Sequence, residues 1–399
     1  MPTRYDMELE ELRVYRPDRA EPQDFDAFWA STLEENPFDP SLLTIERAEC
    51  PLVTLEVFDV SFPGFGFDPI RAWLAVPADA NRPLPTIVQY QGYGGGRGLP
   101  VDHLDWASAG FAHFFMDSRG QGGTWGNGGA TPDPRGSGYG DQGFMTRGIE
   151  DPHDHYYRRL YVDAHHAVEA AAALPQVDES RIFVTGASQG GALTIAAASL
   201  NHRVVGAMPD VPFMSDFPRS VGLTEGTPYD EVVRYLSVFR DRANMVFRTL
   251  SYFDTVIVGR RAIAPALFST ALLDTIAPPS SVFAARNWWG AAGGAAPTAD
   301  IDVHRFNTHE GGAAYQWLHQ VEWAKRLLDA QGRAEFFCRL AEAAPERLRV
   351  AGVLAETPPV PDARGCAPFG TGSGAPASSP SSTCSCRAIS PARRSLTPE

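Results

Sequence analysis

A serine at position 188 lies in a pattern that can support nucleophilic chemistry. Residues 186–190 read Gly-Ala-Ser-Gln-Gly, after an apolar β-branched run and before the helical run ALTIAAASL. Strand, sharp turn and helix around GxSxG form a nucleophile elbow, which exposes the serine hydroxyl at the turn. The alternative is a chance match in a chain with 37 glycines, but the flanking strand and helix argue against it. The pattern therefore predicts Ser188 as the nucleophile of an acyl transfer.

A serine hydroxyl needs a general base, and the base needs a carboxylate that orients it. After a nucleophile elbow, the carboxylate and the histidine follow later in the chain, in that order. Asp274 comes directly after the apolar run ALFSTAL, and His309 lies in the turn before the final helical segment. Among the alternatives, His304 falls within the preceding strand, and Asp254 precedes its strand. The predicted triad is Ser188, Asp274 and His309.

The negative oxygen of an acyl-transfer intermediate needs preorganised N–H donors. One is the backbone N–H of the residue after the nucleophile, which is Gln189 here. The second comes from the loop that follows the third predicted strand, in the glycine-rich segment 91–98, where Tyr93 is close to the strand end. A phosphate-binding loop is the other interpretation of these glycines, but no Lys-Ser or Lys-Thr pair follows.

Strand and helix patterns alternate from residue 52 to 328, which predicts a mostly parallel sheet with helices on both faces. With the elbow, this indicates the α/β-hydrolase fold. Two segments interrupt the alternation: a glycine-dense loop at 119–150 and a mostly helical insertion at 213–263. We expect one esterase domain at 1–330. The extension at 331–399 is rich in Pro, Ser, Gly and Ala, and disorder is expected from about residue 357.

Composition excludes several classes of partner. The net charge of −14 repels phosphate backbones, so no nucleic-acid partner is expected. Cys50 is the only cysteine before residue 330, so the main body needs no disulfides, and Cys384 and Cys386 lack the companions of a metal site. The sequence contains no apolar run of membrane-spanning length and no signal-peptide pattern at its start. These observations predict a cytoplasmic enzyme with no cofactor, no metal and no membrane partner.

Three motifs occur together in this chain: Arg119-Gly120-Gln121, the Gly-Ala-Ser-Gln-Gly elbow, and His309-Glu310. Longer segments accompany them, including ELRVYRPDRAEPQDFDAFW, QYQGYGGGRGLP and FRTLSYFD. Over about residues 5 to 330, the sequence resembles carbohydrate esterase family seven, the acetyl xylan esterases and cephalosporin C deacetylases. The resemblance implies hydrolysis of small acetyl esters on xylo-oligosaccharides and cephalosporins. It also implies a hexamer whose active sites face an interior chamber.

The resemblance assigns roles residue by residue. Ser188, Asp274 and His309 match the triad, and the backbones of Tyr93 and Gln189 match the oxyanion donors. Arg119, Gln121 and Glu310 are expected to support the triad, with an Arg119–Glu310 contact fixing the His309 turn. Pro228 is expected in the substrate pocket.

The sequence departs from the family at 288–302, after DVPF at 210–213, and in the tail beyond 330. The segment 288–302 is Ala/Gly-rich and is expected close to the triad, where it would alter either the pocket rim or the assembly. Two other functions stay open: a longer-acyl esterase or peptidase, and a scaffold that keeps the fold without chemistry.

Overall fold

A single sheet lies at the centre of the molecule. The computed structural model describes residues 5–135, 143–224 and 226–343, with side chains through residue 333. The described residues form nine strands: β1 (Thr44–Arg47), β2 (Leu55–Pro63), β3 (Pro69–Pro77), β4 (Leu84–Tyr90), β5 (Ala112–Met116), β6 (Val177–Ala187), β7 (Val204–Asp210), β8 (Ala266–Ala271) and β9 (Ala299–His304). The sheet order is β1-β2-β3-β5-β4-β6-β7-β8-β9.

Strand direction divides the sheet into two parts. The strand pairs β1–β2, β2–β3 and β3–β5 are antiparallel. The pairs β5–β4, β4–β6, β6–β7, β7–β8 and β8–β9 are parallel. Since parallel strands end at the same edge of a sheet, the residues that follow β4, β6, β8 and β9 meet there. The predicted oxyanion loop, nucleophile, acid and base are those residues. The prediction of a mostly parallel α/β sheet is confirmed.

Helices cover both faces of the sheet. They are α1 (Leu9–Val14), α2 (Phe25–Glu35), α3 (Asp105–Ser108), α4 (Tyr156–Ala172), α5 (Gln189–Leu200), α6 (Phe217–Leu223), α7 (Tyr229–Val238), α8 (Ala243–Ser251), α9 (Thr255–Val258), α10 (Pro279–Asn287) and α11 (Ala313–Ala343). Alternate residues of the buried strands point to opposite faces. Ile87 and Phe183 pack with Trp106 of α3 and Ala324 of α11, while Val88 and Val184 pack on the side of α4 and α5.

The amino-terminal segment differs from its sequence pattern. Residues 8–35 carry a helical sequence pattern but form two helices, because Pro17 and Pro22 lie between α1 and α2 and cannot continue a helical hydrogen-bond ladder. β1 has no counterpart among the predicted strands. It is a four-residue, largely exposed strand at the edge of the sheet, so its sequence has no apolar pattern that would predict a strand.

The chain divides into two compact units, Met1–Phe336 and Phe337–Glu399. The four helices α6–α9 lie between β7 and β8. Residues 344–399, where the disorder prediction and the cysteines at 384 and 386 fall, lie outside the described residues. Within the described part, no helix combines the length and apolarity needed to cross a membrane.

Candidate active site

Ser188 lies in the turn between β6 and α5. Its backbone has φ 59° and ψ −116°, a strained conformation for a residue with a side chain. Gly190 allows this turn to approach β4, since a Cβ there would lie 2.3 Å from the Tyr90 carbonyl oxygen. The Ser188 side chain remains partly exposed, whereas Gln189 behind it is fully buried. This is the geometry of a nucleophile elbow.

The predicted acid and base are in direct contact. His309 Nδ1 lies 2.9 Å from Asp274 Oδ2. The other carboxylate oxygen of Asp274 accepts the backbone N–H groups of Ile276 at 2.9 Å and Ala277 at 3.0 Å. An ionised carboxylate only accepts hydrogen bonds, so His309 Nδ1 carries the proton and Nε2 is free to take another. The buried Asp274 thus selects the tautomer that a general base needs.

Ser188 and His309 line one cavity of about 450 Å³. Its other walls come from β4 and the loop after it, the glycine-dense loop, the start of the helical insertion, and the loop after β8. The lining residues are Gln89, Tyr90, Gln91, Gly92, Tyr93, Thr124, Trp125, Ala187, Thr227, Pro228 and Ile276. Pro228 lines the same cavity as Ser188, and its contact with substrate stays a prediction. No lining residue of this cavity comes from 288–302, and the effect of this segment on the pocket rim or the assembly stays a prediction.

Two backbone N–H groups, one in a residue that lines the cavity and one in the residue after Ser188, have no acceptor in the described residues. Gln189 is the first residue of α5, and the first N–H groups of a helix have no partner within it. The Tyr93 N–H also donates to none of the described residues. The peptide that follows Tyr93 is held on both sides: its carbonyl accepts Trp125 Nε1 at 2.7 Å, and its N–H, from Gly94, donates to Gln121 Oε1 at 2.7 Å.

Gln121 joins the two predicted donors. Its amide Nε2 donates to Gln189 Oε1 and to the Tyr156 hydroxyl, both at 2.9 Å. Since its Oε1 holds the Gly94 N–H, this buried side chain spaces the oxyanion loop from the elbow helix. Gln121 thus contacts both the loop after β4 and the first residue of α5.

Arg119 supports this region from a different side than expected. Its guanidinium is fully buried and pairs with Asp163 through two N–H groups, and with Asp68 at 3.1 Å. Its carbonyl oxygen accepts the Tyr156 hydroxyl at 2.6 Å. The expected contact between Arg119 and Glu310 is therefore wrong, because buried carboxylates already surround the guanidinium.

Glu310 orders the base turn from within. Its carboxylate accepts the Thr308 hydroxyl at 2.6 Å, the Thr308 N–H at 3.0 Å and the Asn307 amide at 2.9 Å. The Thr308 hydroxyl, followed by the Asn307 amide, lowers the pKa of Glu310 to about 2. The side chain is exposed, so these bonds stabilise the local turn that carries His309.

The chain was compared with families of known proteins. A family model described as acetyl xylan esterase (AXE1) matches residues 2–327.

The chain belongs to the acetyl xylan esterase family.

Solved structures of this family resemble it closely. The acetyl xylan esterase from Paenibacillus sp. R4 is 34% identical, with a TM-score of 0.73 over 80% of this chain and 99% of the other. Acetyl xylan esterase 1 from Thermoanaerobacterium sp. JW/SL YS485 is 30% identical, with a TM-score of 0.73 over 81% and 99%. The acetyl esterase Axe7A from Xylanibacter ruminicola is 26% identical over 283 residues, which cover 68% of this chain and 61% of Axe7A. The α/β-hydrolase fold predicted above is confirmed by the first two.

Three residues of this acetyl xylan esterase family member make contacts that were not apparent from its sequence. Glu231 of α7 is buried and accepts the Tyr93 hydroxyl at 2.6 Å and the Met145 N–H at 3.0 Å. The Tyr5 hydroxyl donates to the backbone carbonyl of Asp274. Trp125, the third residue, donates its indole N–H to the Tyr93 carbonyl. Glu231 lies in a polar helical pattern that predicts a surface residue, so its sequence gives no signal of this contact.

Proposed function

We propose that this chain is a serine esterase that removes acetyl groups from small substrates, acetylated xylo-oligosaccharides in the first place. The observation that supports it most is the shared cavity: Ser188 and His309 line it, Asp274 orients His309, and two unpartnered N–H groups lie beside it. Membership of the acetyl xylan esterase family supports the acetyl and xylan parts of the proposal. The acetyl ester of cephalosporin C presents the same bond and is a second proposed substrate.

The proposed reaction has two steps, acetylation of Ser188 and hydrolysis of the acetyl-enzyme. Ser188 Oγ forms a bond to the acetyl carbonyl carbon while its proton passes to His309 Nε2. The carbonyl oxygen becomes negative and accepts the N–H groups of Tyr93 and Gln189, each worth roughly a hundred- to a thousandfold in rate. The carbon–oxygen bond to the sugar then breaks, and His309 gives its proton to the leaving alkoxide.

Water completes the cycle. His309 takes a proton from a water molecule, whose oxygen attacks the acetyl-enzyme, and returns it to Ser188 Oγ as acetic acid leaves and ionises in solution. The imidazolium that forms in each step lies 2.9 Å from the Asp274 carboxylate, which stabilises its charge. Asp274 does not itself take the proton.

Ser188→Ala tests the nucleophile. Hydrolysis of an aryl acetate should fall below about a thousandth of the wild-type rate, near what binding and the oxyanion donors alone supply. Ser180→Ala is the matched control, an exposed serine at the start of the same strand, β6, and should keep the wild-type rate. A Ser188→Ala enzyme that retains more than this fraction would show that the nucleophile is wrong.

Two further measurements separate the alternatives. A fluorophosphonate should label the wild type at Ser188; folded protein that resists labelling would indicate a scaffold. Acetyl esters should be hydrolysed faster than octanoyl esters, and a strong preference for octanoyl would overturn the acetyl assignment.

We also propose that the enzyme works in the cytoplasm as a hexamer. The lone, unpaired Cys50 supports a reducing compartment, since the first 330 residues offer no disulfide. The hexamer is supported by the family resemblance.

A further inference from the structure

Trp125 is an aromatic side chain left half open in the wall of the cavity. It lies on the glycine-dense loop, lines the cavity with Ser188 and His309, and is 50% exposed. Single exposed apolar residues on a protein surface are common and need no explanation. This one differs because it lies beside the candidate nucleophile and because its position is tightly held.

The oxyanion loop is shaped to hold the indole. A Cβ at Gly95 would lie 2.5 Å from Trp125 Cζ2, and one at Gly92 would lie 3.4 Å from the same atom. The ring therefore packs directly on the backbone of these two glycines, where a side chain at Gly95 would displace it. The indole Nε1–H donates to the Tyr93 carbonyl at 2.7 Å. These contacts fix the ring, so its exposed surface costs little conformational entropy when it binds a ligand.

We propose that Trp125 is the specificity-determining residue of this site, on which the pyranose ring of an acetylated sugar stacks while its acetyl group lies at Ser188. The axial C–H groups of a pyranose carry partial positive charge, and the face of an indole carries partial negative charge. A rigid, half-exposed indole thus fits a sugar ring as leaving group. This inference rests on the proposed function, because it names the alcohol part of the same ester.

The same residue has a second effect that must be separated from stacking. Its N–H helps to hold the peptide next to the Tyr93 donor, so its removal should slow hydrolysis of every acetate. Stacking matters only for an alcohol that has a ring. The ratio of kcat/KM for a sugar acetate to kcat/KM for ethyl acetate therefore reports stacking alone. This ratio also does not depend on how much of a variant is folded.

The experiment compares Trp125→Ala and Trp125→Phe with the full-length wild type on acetylated methyl xyloside and on ethyl acetate. Phe keeps an aromatic face and loses the N–H, whereas Ala loses both. We expect the ratio to fall about tenfold in Trp125→Ala, a loss of about 1.4 kcal/mol, and to stay within about twofold of wild type in Trp125→Phe. KM for the xyloside should rise in Trp125→Ala. Tyr315→Ala, an exposed aromatic outside the cavity lining, is the control and should leave the ratio unchanged.

The outcomes distinguish this inference from the function on which it rests. A wild type that hydrolyses both acetates, with an unchanged ratio in Trp125→Ala, overturns the role of Trp125 and leaves the esterase intact. An equal fall of the ratio in both variants also overturns it, since Phe retains the aromatic face. A wild type inactive on both acetates overturns the proposed function and this inference together.

Discussion

The Glu310 carboxylate makes its hydrogen bonds within the turn to which it belongs. Its three hydrogen bonds come from the backbone and side chain of Thr308 and from Asn307, so the carboxylate organises the residues just before His309. A group whose folded pKa is depressed stabilises the fold above its ordinary pKa and loses this effect as the pH falls through the depressed value. For Glu310 the window lies between 4.5 and about 2. The base turn should therefore keep this support at neutral pH.

Removing that carboxylate should impair catalysis without removing a reacting group. We expect Glu310→Ala to lower kcat/KM on an aryl acetate by about tenfold, because its hydrogen bonds to Thr308 and Asn307 no longer fix the turn that carries His309. Glu310→Gln keeps an acceptor oxygen and should lose less. Glu322→Ala, an exposed carboxylate of α11 paired with Arg326, is the control. Equal kcat/KM for Glu310→Ala and wild type would contradict this role.

At the scale of elements, β7, β8 and α11 meet at one buried carboxyl group. Asp210, the last residue of β7, accepts the Ser269 hydroxyl of β8 and the Gln320 amide of α11, both at 2.8 Å. Its backbone carbonyl accepts the Ser188 N–H at 3.0 Å. α11 follows directly after the base turn. Asp210 thus links the nucleophile to the helix behind the base.

Burial raises the pKa of Asp210 to about 7, and the charge of Asp302 adds to this rise. Folded Asp210 keeps its proton up to about pH 7, whereas the unfolded chain loses it near 3.8. The folded state binds more protons in that window, so stability from this group falls as the pH rises through it. Asp210→Asn should remove this part of the slope.

The measurement is urea unfolding of wild type and Asp210→Asn at pH 5, 6.5 and 8. We expect the free energy of unfolding of the variant minus that of wild type to increase between pH 5 and 8, because only wild type loses the Asp210 contribution. Other groups contribute to both proteins alike and cancel in this difference, including Asp254, whose pKa burial raises to about 6, and His113, whose pKa burial lowers to about 3. Parallel slopes for the two proteins would show that Asp210 does not titrate there.

On the scale of the whole molecule, all the predicted site residues lie within the described part of the chain. The cavity lining runs from Gln89 to His309, and Gln320 is the last residue in the supporting contacts described above. The extension should therefore be dispensable for hydrolysis.

A chain that ends at Ala343 tests this expectation. Its kcat/KM on an aryl acetate should stay within about twofold of the full-length value, since a change of that size is well below 1 kcal/mol. Light scattering of both chains reports assembly, and we expect a hexamer in each case. A truncated chain that loses activity or falls to monomers would show that residues 344–399 support the site or the assembly.

Local pattern was enough for much of this molecule. The elbow, the alternation of strands and helices, and the position of Asp274 and His309 after their strands follow from periodicity and chain order, which neighbouring residues set. Parallel strands then bring residues 188, 274 and 309 to one sheet edge. These are the features that could be predicted.

Folding in three dimensions set the contacts between distant parts of the chain. Arg119 pairs with Asp163 instead of Glu310, Glu231 reaches Tyr93, and Trp125 packs on Gly95. Each of these contacts depends on how distant loops pack together. It also depends on burial, which changes the free energy of keeping a side chain charged. Neighbouring residues in the sequence determine neither of these factors.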